Sequence, residues 1–351
     1  MKIVVLSGGL STERNVSLAS GTQVCQALRS LGHQAVLVDM FLGLEDYEGE
    51  LSALFDAPDG RCSAVSIDSA APDLEKVKAS RQDKSASVWG KNVLELCRLA
   101  DCVFLGLHGA CGEDGRVQAT FDLMGIPYTG AGYLSSGMAM DKAVTKRFME
   151  HVGVLTPKWE DITYTADQVD ALVERLPVPC AVKIVNGGSS IGVSLPEDRQ
   201  QLRQALESGL VYGDHVIVEE KICGRELTVG ILGDRYLPAV EIVPNAAYFD
   251  YEAKYQAGGA QEICPARISD AEWQMMGEAA LKLHKALGLS VYSRTDFILT
   301  EEGKAYCLEV NTLPGMTPAS LLPKEAAAAG LTYPQLCEWI VQESLKQKRG
   351  L

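Results

Sequence analysis

Residues 293–316 read Ser-Arg-Thr-Asp-Phe-Ile-Leu-Thr, then Glu-Glu-Gly-Lys, then Ala-Tyr-Cys-Leu-Glu-Val-Asn-Thr-Leu-Pro-Gly-Met. Two apolar runs that are rich in β-branched and aromatic residues flank a short polar turn, which predicts a β-hairpin. If its strands pair without a bulge, Asp296 faces Glu309 and Arg294 faces Asn311. Two carboxylates at cross-strand distance repel each other unless a cation lies between them. The hairpin therefore predicts a cation site.

This pairing assumes a turn centred on Glu302 and Gly303. Oxygen ligands from Asp, Glu and Asn, with no His or Cys among them, suit Mg2+ better than Zn2+. The alternative is a solvated hairpin whose polar face meets only water. Pro314 and Gly315 favour the cation site, because they end the strand at the acidic residues and turn the backbone close to whatever binds there.

Composition restricts the class of protein. The 351 residues suffice for two or three domains, and contents of 47% hydrophobic and 22% charged residues are typical of globular proteins. A net charge of −14 argues against nucleic-acid and anionic-membrane partners. The chain shows no membrane-spanning run and no signal peptide, which predicts a cytoplasmic protein. Its ten cysteines form no C-x-x-C pair, so we expect reduced core thiols.

Two glycine-rich loops follow apolar strands in the first third of the chain. The strand at 2–6 precedes Gly8-Gly9 and a helix at 16–31, and the strand at 102–107 runs into 108–115 and a helix at 116–124. Such Rossmann-like units gather ligands at one sheet edge. The G-x-G-x-x-G fingerprint is missing, which disfavours a dinucleotide and hence a dehydrogenase. Residues 41–91 lose periodicity and predict a surface insertion.

The middle of the chain contains candidate phosphate-binding groups. Lys142 lies near the start of a helix predicted at 138–152, where the ordinary interpretation is a surface charge. Lys183 lies inside an apolar strand, and a buried lysine needs an anionic partner. The Gly- and Ser-rich loop at 187–192 suits a phosphate cover or merely a hairpin loop. Residues 245–265 lack periodicity and predict an active-site lid.

These segments occur in one order, and in that order the chain resembles the ATP-grasp superfamily and, within it, the D-alanine--D-alanine ligases. The resemblance covers essentially the whole chain and implies an α/β and α+β fold of three domains with ATP between the last two. The implied divisions are an N-terminal Rossmann-like domain at 1–130 with the insertion at 41–91, a central ATP-grasp subdomain at 131–223 and a C-terminal ATP-grasp subdomain at 224–351. The matching segments are 8–17, 107–115, 140–142, 188–192, 250–255, 294–296 and 309–317.

The resemblance also implies the residues that hold ATP and metal. Two Mg2+ ions, which Mn2+ can replace, are expected beside the ATP phosphates. The implied residues are Lys142, Lys183 and Ser190 for the phosphates, Glu219, Glu220 and Ile222 for the adenine, Glu226 for the ribose, and Asp296, Glu309 and Asn311 for the metal.

The implied reaction joins two D-alanines. The first carboxylate attacks the γ-phosphate of ATP to give an acyl phosphate, and the amine of the second D-alanine displaces phosphate. A homodimer is also implied. The implied residues are Glu13, Ser189 and Tyr255 as a lid-closing triad, Arg294 and Gly315 at the oxyanion, His108 beside Glu13 at the first D-alanine, and Lys254, Ser320 and Leu321 at the second D-alanine.

The resemblance leaves more than one acceptor open. Ser320-Leu321 fits the pattern of relatives that use D-alanine as the acceptor. The alternatives are a ligase that uses D-serine and another ATP-grasp carboxylate-amine ligase with a different acceptor. A non-catalytic nucleotide-binding module is disfavoured, because none of the metal, phosphate or substrate residues is missing. His108 alone is also compatible with a hydrogen-bonded structural histidine.

Overall fold

The computed structural model describes residues 1–62, 72–187, 192–244 and 260–349. Within these ranges the strands form three sheets, one in each of the three expected regions of the chain. Ser189, Ser190, Lys254 and Tyr255 lie outside the described residues. Most of the predicted lid lies outside them too, but its last part forms a strand rather than irregular structure.

The first sheet is parallel, with the order β2-β1-β3. Its strands are apolar and almost fully buried, as expected for strands covered on both faces. Ser17 joins the ends of two strands: its Oγ accepts from the Gly8 amide at 2.8 Å and donates to the Gly106 carbonyl at 2.5 Å. Both glycine-rich loops therefore leave the same sheet edge, as predicted. The strands are β1 (Lys2–Ser7), β2 (Gln34–Asp39) and β3 (Cys102–Leu105).

The second sheet is antiparallel, with the order β4-β7-β5-β6. The helices Val169–Arg175 and Arg199–Gly209 pack on one face through a cluster of buried aliphatic side chains. The helix Lys142–Val152 contacts the sheet through Ala143. The strands are β4 (Trp159–Thr163), β5 (Cys180–Ile184), β6 (Val193–Ser194) and β7 (His215–Glu220).

The third sheet has the order β11-β10-β8-β12-β13, with β9 beside β8. The helix Asp270–Ala286 covers one face, and a Ser269–Glu272 capping box fixes its start. The predicted hairpin is β12 and β13, which puts β12 between two strand partners. The strands are β8 (Arg225–Leu232), β9 (Arg235–Tyr236), β10 (Val240–Pro244), β11 (Ala260–Ile263), β12 (Tyr292–Leu299) and β13 (Ala305–Asn311).

The end of the chain packs on its beginning. The helix Tyr333–Leu345 lies against the helix Arg14–Ser30, and Leu336 and Ile340 share a buried cluster with Leu28. Within the described ranges, no helix combines the length and apolarity that crossing a bilayer demands. The remaining helices are Leu74–Ser80, Val93–Cys97, Arg116–Met124, Tyr133–Met140 and Leu321–Ala328, with 3-10 turns at Leu51–Asp56 and Ala166–Gln168.

The helix predicted at 138–152 is two helices. Asp141 has an extended backbone (φ −80°, ψ 105°), and its carboxylate accepts from the Val144 amide at 2.9 Å. Asp141 therefore ends the helix Tyr133–Met140 and caps the next one, because a short acidic side chain satisfies the free amides of a first turn. Lys142 becomes the first residue of that helix, and it is buried rather than on the surface.

The prediction that all ten cysteines are reduced is wrong for one pair. Cys25 on the first helix is joined by a disulfide to Cys62 in the insertion. The cause is a fold-back of the insertion: Arg29 donates to the carbonyls of Ala57 and Pro58 at 2.8 Å each, which brings Cys62 over the helix. The remaining eight cysteines are free.

A β-bulge sets the register of the hairpin. Asp296 pairs with Glu309, as predicted, but Phe297 pairs with Cys307, so Leu308 is an extra residue on β13. The observed turn is centred on Glu302, whereas the predicted turn was centred between Glu302 and Gly303. The extra residue in the bulge restores the predicted pairing of Asp296 with Glu309 despite this shift. The prediction of the pairing is confirmed, whereas the assumption of a regular hairpin is wrong.

The bulge also reverses the faces of β13. Ala305 and Cys307 are buried, and in a regular strand Glu309 would follow them into the core. Instead Val310 is buried in the same core as Ala305 and Cys307, while Glu309 and Asn311 are half-buried on the opposite face. The bulge thus exposes the polar pair and keeps the core apolar.

Acid should weaken the fold through His284 on the helix Asp270–Ala286. Its Nδ1 lies 2.7 Å from the Ser293 hydroxyl, and burial lowers its pKa from 6.5 to about 4. Between these values the unfolded chain takes up a proton that the folded chain refuses, so stability falls as the pH falls from 6.5 to 4. We expect His284→Asn to remove about 3 kcal/mol of this pH dependence, measured by urea unfolding at several pH values.

The exposed His151 supplies the control, because His151→Asn removes an imidazole without removing a buried one. Parallel stability curves for the wild type and His284→Asn between neutral and acidic pH would contradict the prediction.

Candidate active site

A cleft lies where the two N-terminal loops meet the open end of the hairpin. The structure brings together residues that are far apart in the sequence, and four of the predicted site residues line one cavity. The lining includes Glu13, Glu113, Lys142, Gly187, Glu309 and Asn311.

Arg294 and Asp296 form a bidentate ion pair on β12, opposite the Asn311 and Glu309 that line the cavity. The Nε and Nη2 of Arg294 donate to the two carboxylate oxygens of Asp296 at 2.8 and 2.9 Å. The Thr228 hydroxyl donates to Asp296 at 2.8 Å. Burial by itself would lower the pKa of Arg294, but Asp296 outweighs burial and raises that pKa. The guanidinium is therefore fixed in position as well as charged.

The donor set on the hairpin fits a hard cation. Asp296 and Glu309 face each other across the strands, and Asn311 adds an amide oxygen on the same face as Glu309. Asp296 Oδ1 accepts from both Arg294 and Thr228, whereas Oδ2 accepts from Arg294 at 2.9 Å, so Oδ2 is the oxygen of this carboxylate that suits a metal. Over the described part of the chain, no group of three His, Cys, Asp or Glu side chains could hold a metal. Mg2+ commonly takes one or two carboxylates and completes its shell with phosphates and water, so two carboxylates suffice.

Lys142 links this acidic pair to the second sheet. Its Nζ donates to the carbonyl of Gly187, at the start of the glycine-rich loop, and lies 3.8 Å from Glu309 Oε2. The Lys142 amide also donates to the Val185 carbonyl at 3.1 Å. The lysine thus places a positive charge between the loop and the hairpin, where a phosphate would meet both.

Lys183 has an anionic partner, Glu219, as expected for a lysine inside an apolar strand. Its Nζ lies 2.8 Å from Glu219, and the other Glu219 oxygen lies 2.8 Å from Lys146. Glu219 and Lys146 are almost fully buried. Burial by itself would raise the pKa of Glu219, but Lys183 and Lys146 together lower it. Burial opposes the charge of Lys183 too, and Glu219 nevertheless raises its pKa.

Two charged residues beside the site, Lys146 and Glu113, are not evident from the sequence. Lys146 follows Lys142 by one helical turn, so the i, i+4 spacing on an amphipathic helix was the available signal. Glu113 accepts from the Gly109 amide at 3.0 Å. Burial and the nearby Glu13 raise the pKa of Glu113 well above its usual value. No local pattern marks Glu113, because its burial depends on how the loop folds onto the cleft.

Arg14 is a further residue near the site whose contacts are not evident from the sequence. Its guanidinium donates to the Gly9 carbonyl at 2.7 Å and pairs with Asp39 at the end of β2. A Cβ at Gly8 would lie 2.7 Å from the Asp39 carboxylate, so the glycine is required for this approach. The ion pair fixes the first loop and, with it, Glu13 at the start of the helix Arg14–Ser30.

Glu13 and His108 lie at the junction of the N-terminal loops and the hairpin tail. Glu13 is buried, and a Cβ at Gly109 would lie 3.2 Å from its Oε2. His108 Nδ1 donates to the Leu313 carbonyl at 3.0 Å, and its Nε2 lies 3.4 Å from the Ser20 hydroxyl. Burial lowers the pKa of His108 despite the nearby Glu13. Its contacts are those of a structural histidine that ties the first domain to the hairpin.

The helix Leu321–Ala328 begins beside the hairpin tail. Ser320 is its N-cap residue, with its hydroxyl accepting from the Thr317 amide at 3.1 Å. A Cβ at Gly315 would lie 2.9 Å from that hydroxyl, so only glycine allows this close approach. The free amides of the first turn, starting at Leu321, suit a carboxylate.

The segment predicted to contact adenine forms the end of β7. Glu220 exchanges two hydrogen bonds with Lys158: its amide donates to the Lys158 carbonyl at 2.8 Å, and its carboxylate accepts from the Lys158 amide at 3.0 Å. Ile222 follows the strand and is half-buried. Glu226 lies on β8, opposite Ile298 of β12.

The second and third sheets with this cleft between them define an ATP-grasp fold. A crystal structure of the D-alanine--D-alanine ligase from Bacillus anthracis in complex with ATP matches with a TM-score of 0.72 and 31% identity, covering 99% of this chain and 98% of that one. A D-Ala:D-Ser ligase from Enterococcus faecalis matches with a TM-score of 0.74 and 29% identity, covering 98% and 99%.

Sequence comparisons show which family of ATP-grasp proteins the chain matches. The family descriptions D-ala D-ala ligase N-terminus and D-ala D-ala ligase C-terminus match residues 2–131 and 148–342. The D-alanine--D-alanine ligase of Pediococcus pentosaceus is 42% identical over 342 residues, covering 97% of each chain. That of Lacticaseibacillus casei is 40% identical over 349 residues, covering 99% of this chain and 96% of the relative. The chain belongs to the D-alanine--D-alanine ligase family.

Proposed function

We propose that the protein uses ATP to join two D-alanines into D-alanyl-D-alanine, a precursor for peptidoglycan. The observation that carries this proposal is the cleft that Glu13, Lys142, Glu309 and Asn311 line, with Asp296 paired to Glu309 on the adjacent strand. Family membership and the ATP complex of the Bacillus anthracis relative support it. The released products would be ADP and phosphate.

ATP would lie between the second and third sheets. Lys142 and Lys183 would hold its phosphates with Ser190, the end of β7 its adenine through Glu219, Glu220 and Ile222, and Glu226 its ribose. Asp296, Glu309 and Asn311 would hold two Mg2+ ions, which when bound neutralise charge on the phosphate oxygens. The oxygen-only donor set on the hairpin supports this assignment.

In the first step, a D-alanine carboxylate would attack the γ-phosphate. Glu13 would hold the ammonium of this D-alanine, because its buried carboxylate lies at the start of the first helix beside the cleft. Lys142 adds positive charge between the glycine-rich loop and Glu309. Phosphoryl transfer depends on positioning and electrostatics, which these fixed charges supply.

In the second step, the amine of the other D-alanine would attack the acyl phosphate carbonyl. Arg294 and the Gly315 amide would stabilise the oxyanion, and Ser320 and Leu321 would bind the carboxylate of the acceptor at the helix start. Lys254 is proposed beside them. Glu13, Ser189 and Tyr255 are proposed to link the loops on closure, which excludes the water that would hydrolyse the acyl phosphate.

We also propose the division of the chain into domains at 1–130, 131–223 and 224–351, supported by one sheet in each region. The last helix nevertheless packs on the first domain. A homodimer is also proposed, supported by the apolar surface that Leu123, Tyr133 and Leu134 expose in the N-terminal half. Since ATP is the proposed co-substrate, we place the reaction in the cytoplasm.

A panel of acceptors tests the function directly. The protein is incubated with ATP, Mg2+ and D-alanine, alone or with D-serine or D-lactate, and products are identified by mass. We expect phosphate release and D-alanyl-D-alanine as the main product. A preference for D-alanyl-D-serine would favour the alternative that the Enterococcus faecalis relative represents. Silence with every acceptor at millimolar concentration would refute the proposal.

A further inference from the structure

A buried cluster of three charges, formed by Lys146, Glu219 and Lys183, lies beside the proposed phosphate site. Lys146 and Lys183 each lie 2.8 Å from a different oxygen of Glu219. The side chains of Lys146 and Glu219 are 1% and 2% exposed, and that of Lys183 is 13% exposed. Lys183 is therefore the one member of the three with appreciable solvent exposure, while Lys146 and Glu219 are closed off from solvent.

Lys146 connects this cluster to β13, the strand that carries Glu309 and Asn311. Its Nζ donates to the Thr156 hydroxyl at 2.6 Å, and that hydroxyl donates to the Cys307 carbonyl on β13 at 2.9 Å. The Cys307 amide donates to the Leu155 carbonyl at 2.8 Å. Lys146 is thus held from both sides, and its ammonium cannot move toward the cleft without breaking these contacts.

The net charge of the cluster indicates what Lys146 does for Lys183. Two ammonium groups on one carboxylate leave a net charge of about +1 in a poorly solvated site, where an anion interacts strongly with the surplus. If Lys146 were neutral, Glu219 and Lys183 would cancel, and Lys183 would offer a phosphate a hydrogen bond without net charge. Because Lys146 neutralises Glu219, the charge of Lys183 remains available.

We propose that Lys146 is a positioning residue for ATP: it neutralises Glu219 from behind, so that Lys183 can give its full charge to a phosphate that Lys146 never contacts. This inference rests on the proposed use of ATP. Glu309 and Glu226 also act on Lys183 electrostatically, which increases the need for a compensating cation behind Glu219.

A role in packing alone predicts a different result from a role in charge balance. Lys146→Met keeps most of the side-chain volume and removes the charge. A packing role predicts that the variant binds ATP and adenosine with affinities that change together. Charge balance predicts a selective loss for the triphosphate, with the ratio of ATP affinity to adenosine affinity falling about tenfold or more.

A double variant restores the charge without restoring Lys146. Glu219→Gln in the Lys146→Met background returns the net charge of the three positions to about +1. We expect the ATP-to-adenosine ratio to recover toward the wild-type value, because the Glu219 carboxylate is buried and any effect of its loss on the adenine pocket acts on both ligands alike. Glu219→Gln alone should keep or increase the ratio.

The matched control is Arg147→Met on the same helix. Arg147 is exposed and pairs with Asp161 on β4, so its loss changes the net charge of the protein equally and leaves the Lys146–Glu219 pair in place. Affinities are measured by calorimetry with ATP and adenosine in the full-length protein, and the KM values for ATP and D-alanine are measured separately. Thermal unfolding verifies that each variant is folded.

Three results are distinguishable. A selective loss in Lys146→Met, recovery in the double variant and an unchanged control support the inference, as does a rise in the KM for ATP with a steady KM for D-alanine. An unchanged affinity ratio, or no recovery in the double variant, overturns it. Failure of the wild type to bind ATP would instead refute the proposed function.

Discussion

Replacing Glu309 with Gln should reduce dipeptide formation about a thousand-fold or more, because losing a metal carboxylate removes several kcal/mol of transition-state stabilisation. The change is isosteric, and the Glu309 side chain is 42% exposed, so the fold should be unaffected. The measurement is phosphate release and dipeptide formation at saturating ATP and D-alanine, with thermal unfolding as the test of the fold.

Glu301→Gln provides the matched control for Glu309→Gln. Glu301 lies in the turn of the same hairpin and is exposed, so this variant loses the same charge away from the cleft. Weaker binding of Mn2+ by Glu309→Gln, followed by paramagnetic resonance, would connect the loss of activity to the metal. Near-normal turnover in Glu309→Gln would show that the hairpin carboxylates do not hold the essential cation.

Replacing Arg294 with Lys should slow the second chemical step about 100- to 1,000-fold, which is the usual effect of losing one oxyanion donor. Lysine keeps the positive charge beside Asp296, but it cannot reproduce the two hydrogen bonds at 2.8 and 2.9 Å. The first step depends less on this group. We therefore expect positional isotope exchange in labelled ATP to persist while dipeptide formation falls.

Arg267→Lys is the control for Arg294→Lys. Arg267 pairs with Glu241 on β10, which β8 separates from β12, and it is mostly exposed, so its shortening should leave both steps unchanged. If isotope exchange and dipeptide formation fall together in Arg294→Lys, Arg294 serves the first step as well, and its assignment to the oxyanion alone is wrong.

The sequence was sufficient for the parts of the fold that depend on local periodicity. The helix Arg116–Met124 and the hairpin pairing of Asp296 with Glu309 match their predictions, because turn residues and alternation specify them. The break at Asp141 was readable in principle, since aspartate is a preferred N-cap. It was missed because apolar residues continue on both sides of it.

The buried charges of the site could not be predicted in the same way. Lys146 on a helix and Glu219 on a strand have ordinary local patterns, and only the packing of that helix on the second sheet brings them to 2.8 Å. The disulfide of Cys25 with Cys62 likewise depends on a fold-back of the insertion that has no periodicity. Long-range contacts such as these leave little trace in local sequence.

The extra residue at Leu308 makes the hairpin tolerant of change at one place and intolerant at another. A residue gained or lost in the turn at 300–304 alters only a solvent-exposed connection, since β12 is already held by β8 along its whole length. Deleting Leu308 would shift the register of the following residues by one, so that Glu309 and Asn311 would face the core and Val310 would face the cleft. Natural variation in length should therefore accumulate in the turn and spare the bulge.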